Sequence, residues 1–194
     1  TPLFNWHKNH NGNIVEFGGY LMPLHYSNGI LHEHHTVRTK VGLFDVSHMG
    51  EFHFSGKDAL ANLQYLISND FSDLEIDKTR YGILVRKDGT AVDDLLVYRM
   101  AEEEYLVVVN AANIDKDEAY IREHLFGEVV FQNISEDCGQ IAIQGPLSQE
   151  LLKRLTPIND MPYYTFKGNV DIAGKNVLIS RTGYTGEDEY GFIL

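Results

Sequence analysis

Two apolar runs, residues 81–86 and 92–99, stand on either side of Lys87-Asp88-Gly89. An Asp-Gly pair between such runs supplies the tight turn of an antiparallel hairpin. A parallel pair needs a crossover of a dozen or more residues, so a chain that reverses here is not built as a doubly wound parallel sheet. The other periodicities agree. Residues 28–41 read as a helix, with Ile30, Leu31, Val37 and Val41 at near-helical spacing and Gly42 as its stop. Residues 43–54 read as one strand or two, interrupted near Ser47-His48. Residues 57–67 read as a helix with Leu60, Leu63, Leu66 and Ile67 on one face. Further strands are expected at 105–109, 129–132, 140–144, 170–172 and 176–181, with helices at 113–126 and 148–155. The sum is an α+β fold: antiparallel sheets with flanking helices. Residues 190–194 read as a strand with no turn or polar tail after it, so the chain is expected to be truncated.

Charge and cysteine content exclude several classes of function. The net charge is −12, from 28 acidic and 16 basic side chains, which argues against a nucleic-acid partner and against an anionic membrane surface. No apolar run approaches the roughly 20 residues needed to span a bilayer. A single cysteine, Cys138, forms no internal disulfide, and the carboxylates of Glu136-Asp137 beside it disfavour a thiolate, so it reads as structural.

Few motifs carry chemistry. His32 and His35 have ligand spacing on a helix, but no third ligand is placed for them, so they read as a solvated face and no metal is expected. Ser47-His48 lacks a G-x-S-x-G elbow, and neither G-x-G-x-x-G nor a P-loop occurs. Asp93-Asp94 stands out, because both carboxyls lie inside the apolar stretch Ala91-Val92-Asp93-Asp94-Leu95-Leu96-Val97-Tyr98. Neighbours in a strand face opposite ways, so one carboxylate is expected to face solvent and the other the interior or a cleft. Two readings stay open for the pair: a cap on the hairpin, or a carboxylate held for proton transfer or for an amine-rich heterocycle. Tyr81 on the preceding strand, Tyr98 on the same face as Asp94, and Asn110 at the end of the next strand would form a pocket with a few fixed polar groups.

Several segments together resemble the aminomethyltransferases, the T-proteins of the glycine cleavage system. They are Gly42-Leu43-Phe44-Asp45-Val46-Ser47-His48-Met49-Gly50-Glu51, Asp93-Asp94-Leu95-Leu96-Val97-Tyr98, Val109-Asn110-Ala111-Ala112-Asn113, Gln144-Gly145-Pro146 and Ser180-Arg181-Thr182-Gly183-Tyr184-Thr185-Gly186-Glu187-Asp188. They stand in the family's order with similar spacing, and they cover about the first half of a typical member. The resemblance implies a T-protein-like folate-binding fold, with a first domain over residues 1–50 and 138–194 and an inserted α+β domain over 51–137. It implies transfer of an aminomethyl group from lipoylated H-protein to tetrahydrofolate, with release of ammonia and formation of 5,10-methylenetetrahydrofolate. Asp94 is the implied catalytic residue. Met49, Tyr81, Asp94, Tyr98, Asn110, Tyr164 and Tyr184 are the implied folate-binding residues. Where the family has a pterin-binding Glu this chain has Gly191, and Glu189 is the candidate substitute. The 194 residues alone are expected to be inactive. The rival readings are a demethylase-type member of the same superfamily and a non-enzymatic folate-binding protein; the latter's Lys-Gly-Cys-Tyr-x-Gly-Gln string is absent here. The implied compartment is the cytoplasm if the source is bacterial and the mitochondrial matrix if it is eukaryotic.

Overall fold

The computed structural model describes residues 1–158 and 160–194. They divide into two compact units, Thr1–His48 with Gly139–Leu194, and Met49–Cys138. No described helix is long and apolar enough to cross a membrane.

In chain order the first unit begins with α1 (Phe4–Asn9), β1 (Ile14–Phe17), β2 (Tyr20–Pro23), α2 (Ile30–Thr39) and β3 (Gly42–Asp45). The second unit comprises β4 (Gly50–Ser55), α3 (Ala59–Leu66), β5 (Thr79–Val85), β6 (Ala91–Ala101), β7 (Glu104–Val109), α4 (Ile114–His124) and β8 (Val130–Asn133). The chain then returns to the first unit with β9 (Gln140–Gln144), α5 (Ser148–Leu155), β10 (Thr165–Ile172), β11 (Lys175–Arg181) and β12 (Glu189–Ile193). Every pairing among the described strands is antiparallel, and β5 pairs with β6 across Asp88-Gly89 as that turn predicts.

The second unit is a five-stranded sheet in the order β5-β6-β7-β4-β8. One face packs against α3 and α4. Phe52 and Phe54 from β4, Leu95 and Val97 from β6, and Val107 and Val109 from β7 meet Leu63, Leu66 and Ile121 there. The alternation along β6 that sends Leu95 and Val97 inward turns Asp94, Leu96 and Tyr98 to the other face. The first unit holds its own five-stranded sheet, β10-β11-β12-β9-β3, whose core joins Ile143, Ile179, Tyr190 and Phe192 to Leu152 of α5. The β1–β2 hairpin forms a separate two-stranded ribbon in this unit.

Three elements lie outside the sequence expectations. Helix α1 is a short run with no apolar period. The β1–β2 hairpin turns on Gly18-Gly19, both at positive φ (58° and 85°), a two-residue connection of the kind that favours glycine. Strand β10 starts five residues before the expected 170, because its register breaks between Lys167 and Val170 and Asn169 sits at φ 56°; an irregular pairing of this sort hides the period-two pattern.

Candidate functional site

In the second unit the face opposite the core carries the acidic centre. Register places Tyr81 of β5 opposite Leu96 of β6, Leu96 opposite Val108 of β7, and Val108 opposite Glu51 of β4. These four residues form one row across the sheet, and Asp94 and Tyr98 flank it on the same face two positions either side of Leu96. Asp94 is exposed. Its Oδ2 accepts a hydrogen bond of 3.1 Å from the Tyr81 hydroxyl, and its Oδ1 accepts one of 3.0 Å from Asn110 Nδ2. The same Asn110 Nδ2 reaches the Asp94 main-chain oxygen at 3.0 Å. Two donors from adjacent strands therefore fix the carboxylate, while its remaining lone pairs stay open to a ligand. Tyr98 is buried to 1% exposure and underlies the same face. Met49 precedes β4, whose Gly50 pairs with Val109, and so stands half-buried at the Asn110 end of the sheet. The structure thus brings Tyr81, Asp94 and Asn110 into direct contact.

Asp93 faces the other way and is buried. Burying a carboxylate is costly unless donors surround it, and three do. Its Oδ2 accepts from the Asn110 backbone N–H at 3.0 Å, and its Oδ1 accepts from Asn110 Nδ2 at 2.9 Å and Asn113 Nδ2 at 2.7 Å. Burial on its own would raise the Asp93 pKa, but the hydrogen bonds from Asp117, Asn110 and Asn113 outweigh it and hold the group below the ordinary carboxylate value. The pair reads as expected from strand alternation: one carboxyl outward, one inward.

The other predicted residues lie in the first unit. Glu189 opens β12, buried to 5% exposure. It shares a face with Gly191, while Tyr190 and Phe192 point into the core. A side chain at Gly191 would press on Ser180 Oγ, 3.1 Å from an added Cβ. Glu189 Oε2 accepts a hydrogen bond of 3.1 Å from the Tyr184 backbone N–H. Burial pushes its carboxyl up to about 7, against that hydrogen bond. Tyr184 is 70% exposed as a residue, yet burial raises its hydroxyl, against a hydrogen bond with the side chain of buried Gln144. Tyr164 takes positive φ (60°), bonds its N–H to the Arg181 oxygen at 2.8 Å, and stacks edge-on with Tyr163 at 4.7 Å between centroids.

Three residues of these surroundings escaped the sequence reading. Glu51, on the Asp94 face, is buried to 1% exposure, and burial pushes its carboxyl up to about 8. Asp117 on α4 is fully buried. Lys116 next to it donates to the Asn113 side-chain oxygen at 2.8 Å. A signal for Asp117 was available: it lies four residues before core Ile121 and three after Ile114, so an acidic group interrupts the apolar stripe of a helix. Cys138 is half-buried and its thiol is pushed up to about 11, first by burial and then by Glu51 and Asp137, which makes it a poor nucleophile. Among the described residues no group of three His, Cys, Asp or Glu side chains is placed to hold a metal ion.

A groove of about 920 Å³ lies elsewhere, in the first unit, with Trp6, Met22, Leu24, Ile30, Val37 and Leu43 in its walls. None of the predicted site residues lines it. Size alone does not make it the site, since the convergent donors around a carboxylate are at Asp94.

A family model described as the GCVT N-terminal domain matches residues 3–194. An aminomethyltransferase of Anoxybacillus flavithermus is 47% identical over 192 residues, which are 98% of this chain and 52% of that protein. The crystal structure of the glycine cleavage system aminomethyltransferase T from Bartonella henselae is similar with a TM-score of 0.91 at 31% identity, over 100% of this chain and 53% of that one. A heterotetrameric sarcosine oxidase from Corynebacterium sp. U-96 has a TM-score of 0.56 at 14% identity, covering 82% of this chain and 80% of that one, a likeness of fold alone. The chain spans about half the length of the aminomethyltransferases it matches.

Proposed function

We propose, for a chain that belongs to the GCVT N-terminal domain family, that it provides the tetrahydrofolate side of an aminomethyltransferase of the glycine cleavage system, with Asp94 as the group that handles the proton. The observation that carries this reading is the convergence of Tyr81 and Asn110 on one exposed carboxylate. The donor in the reaction is an aminomethyl group on the lipoyl arm of H-protein, and the products are ammonia and 5,10-methylenetetrahydrofolate. Tetrahydrofolate, when bound, supplies the nucleophilic nitrogen that receives the one-carbon unit.

The residues of this chain bind, orient and move a proton. Asp94 accepts an N–H of the folate and takes the proton that the attacking nitrogen loses. The Tyr81 hydroxyl and the Asn110 amide hold its two oxygens in place, which keeps the carboxylate from rotating away. Tyr164 and Tyr184 offer ring faces or edges for a flat heterocycle and a benzoyl ring, and Tyr98, buried to 1% exposure, backs the Asp94 face from beneath. Met49 adds a polarisable apolar contact. Glu189, on the same face as Gly191, takes the role of the family's pterin carboxylate two positions earlier. The residue types fit tetrahydrofolate, a polar heterocycle with several N–H donors. Residues 1–50 with 138–194 correspond in this reading to the first domain of the fold, and 51–137 to the inserted one. The bacterial relatives support the cytoplasmic alternative.

The test is a coupled assay with lipoylated H-protein on the full-length enzyme and its Asp94→Asn version. Loss of a general base costs about 10²- to 10⁴-fold, so a drop of at least about 10²-fold in kcat is expected. Full activity in Asp94→Asn sinks the assignment.

A further inference from the structure

Asp117 sits on the inward side of α4 with neither carboxyl oxygen hydrogen-bonded by a donor group among the described residues. Its polar neighbours are another carboxyl, Asp93, and the Lys116 ammonium at 3.9 Å. Two carboxyls bond to each other only when one of them keeps its proton. Which one keeps it follows from the donors. A carboxylate offers about four lone-pair sites; three on Asp93 are filled by Asn110 N, Asn110 Nδ2 and Asn113 Nδ2. That leaves Asp93 as the anion with one site free, and Asp117 as the acid that fills it. Asn113 cannot reverse to relieve the arrangement, because its oxygen is taken by Lys116 Nζ at 2.8 Å.

We propose that Asp117 is a positioning residue: as a neutral acid donating to Asp93 it holds Asp93 as a pure acceptor, so that the Asn110 amide must present its NH2 group there and, with the same group, to Asp94. The consequence runs from a buried helix position to the exposed site in three hydrogen bonds: Asp117 to Asp93, Asn110 to Asp93 and Asn110 to Asp94. Were Asp117 to lose its proton, two anions would face each other away from water, and Asp93 would shed its charge or move. The Asn110 amide would then be held only by the main-chain and carboxylate oxygens of Asp94, and its NH2 group would lose its anchor on the buried side. The charged groups that act on Asp117 are Asp93 from β6 and Lys116 from its own helix. Burial and Asp93, in that order, push its carboxyl up to about 8, and Lys116, 3.9 Å away, opposes them.

The inference rests on the reading of Asp94 as the functional carboxylate, and its test separates the two. Side-chain NMR of this chain follows the Asn110 NH2 group and the Asp117 carboxyl carbon against pH, in the natural protein, in Asp117→Asn and in Asp117→Leu. The expected result is an Asn110 NH2 signal that shifts with a midpoint near 8 in the natural protein. The step is absent in Asp117→Asn, which keeps an N–H donor and cannot ionise. In Asp117→Leu the step is also absent, and the NH2 signals move from their natural positions because Asp93 has lost its fourth donor, while the bonds to Asp94 keep them short of an unbound amide. In the full-length enzyme tetrahydrofolate affinity falls at least about tenfold in Asp117→Leu and is largely restored in Asp117→Asn. An Asp117 carbon that titrates in the ordinary carboxylate range, or an Asn110 step that persists in Asp117→Asn, overturns the proposal. These arms decide it even where Asp117→Leu does not fold. Tetrahydrofolate failing to bind the natural full-length enzyme while the NMR pattern holds would overturn the Asp94 reading and leave the positioning role standing.

Discussion

Asp93 and Asp94 are the same side chain one position apart, and their surroundings make them different groups. Asp93 is ringed by N–H donors and serves as an internal anchor; Asp94 has two donors and an open side. That one of the pair would turn inward was legible from strand alternation alone. That Asn110 would bind both was not, because a single amide bridging neighbours that face opposite ways needs the end of β7 to curl past β6, which no local pattern encodes. Removing one hydroxyl tests the outward half. Tyr81→Phe deletes the donor to Asp94 Oδ2 from a ring that is 43% exposed. A hydrogen bond of this kind contributes about 0.5–1.5 kcal/mol net, so tetrahydrofolate affinity of the full-length enzyme is expected to weaken by about two- to thirteenfold. The midpoint of chemical denaturation should stay nearly where it was. A measurement showing equal affinity in Tyr81→Phe would remove Tyr81 from the site.

Hairpin β5–β6 is the element that makes the site possible, and it is also the element the sequence declared most clearly. Its turn residues, its two apolar runs and its antiparallel pairing all follow from Asp88-Gly89. What did not follow is the register shift between Leu84 and Val85, which lets both Val92 and Leu95 reach the core although they are an odd number of residues apart. The short strands β1 and β2 were missed, and β10 was expected only over its last residues, 170–172, for the same reason: their patterns are too brief or too broken to show a period. Gly82 fixes how closely the hairpin can approach the segment that follows α3. A Cβ there would collide with Ile67 Cγ2 and come within 3.3 Å of Phe71 Cζ, both on buried residues. Gly82→Ala is therefore expected to destabilise the second unit by about 1–3 kcal/mol through overpacking. Denaturant titration of the substituted chain checks this. A neutral or stabilising result would mean that the contact between β5 and Ile67 relaxes at no cost.

Across the whole molecule the buried acids set how stability depends on pH. Free carboxyls titrate near 4 in an unfolded chain, whereas burial pushes Glu51 and Asp117 up to about 8 and Glu189 up to about 7. A group raised in the folded state stabilises fully below its unfolded value, and that contribution is lost as pH rises through the folded one. Asp45 and Asp93 behave oppositely. Burial raises them, but hydrogen bonds, from His7, Thr1 and Ser47 in the case of Asp45, bring both below the ordinary value. Their contribution is present above the unfolded pKa and lost only in acid. His48 is lowered by burial, so it too acts only below its unfolded value of about 6.5. Between about pH 6.5 and 8 the three raised acids therefore act alone, with the raised Cys138 thiol joining them above that, and the chain is expected to lose stability as pH rises. Self-repulsion from a net charge of −12 gives a similar slope, but added salt screens exposed charges and leaves buried groups nearly untouched. Denaturation midpoints at pH 6.5, 7.5 and 8.5, each at low and at high salt, separate the two causes. Glu51→Gln with Asp117→Asn should flatten the profile of the second unit, and Glu189→Gln that of the first. A slope that vanishes in high salt would assign the pH dependence to surface charge and not to the buried acids.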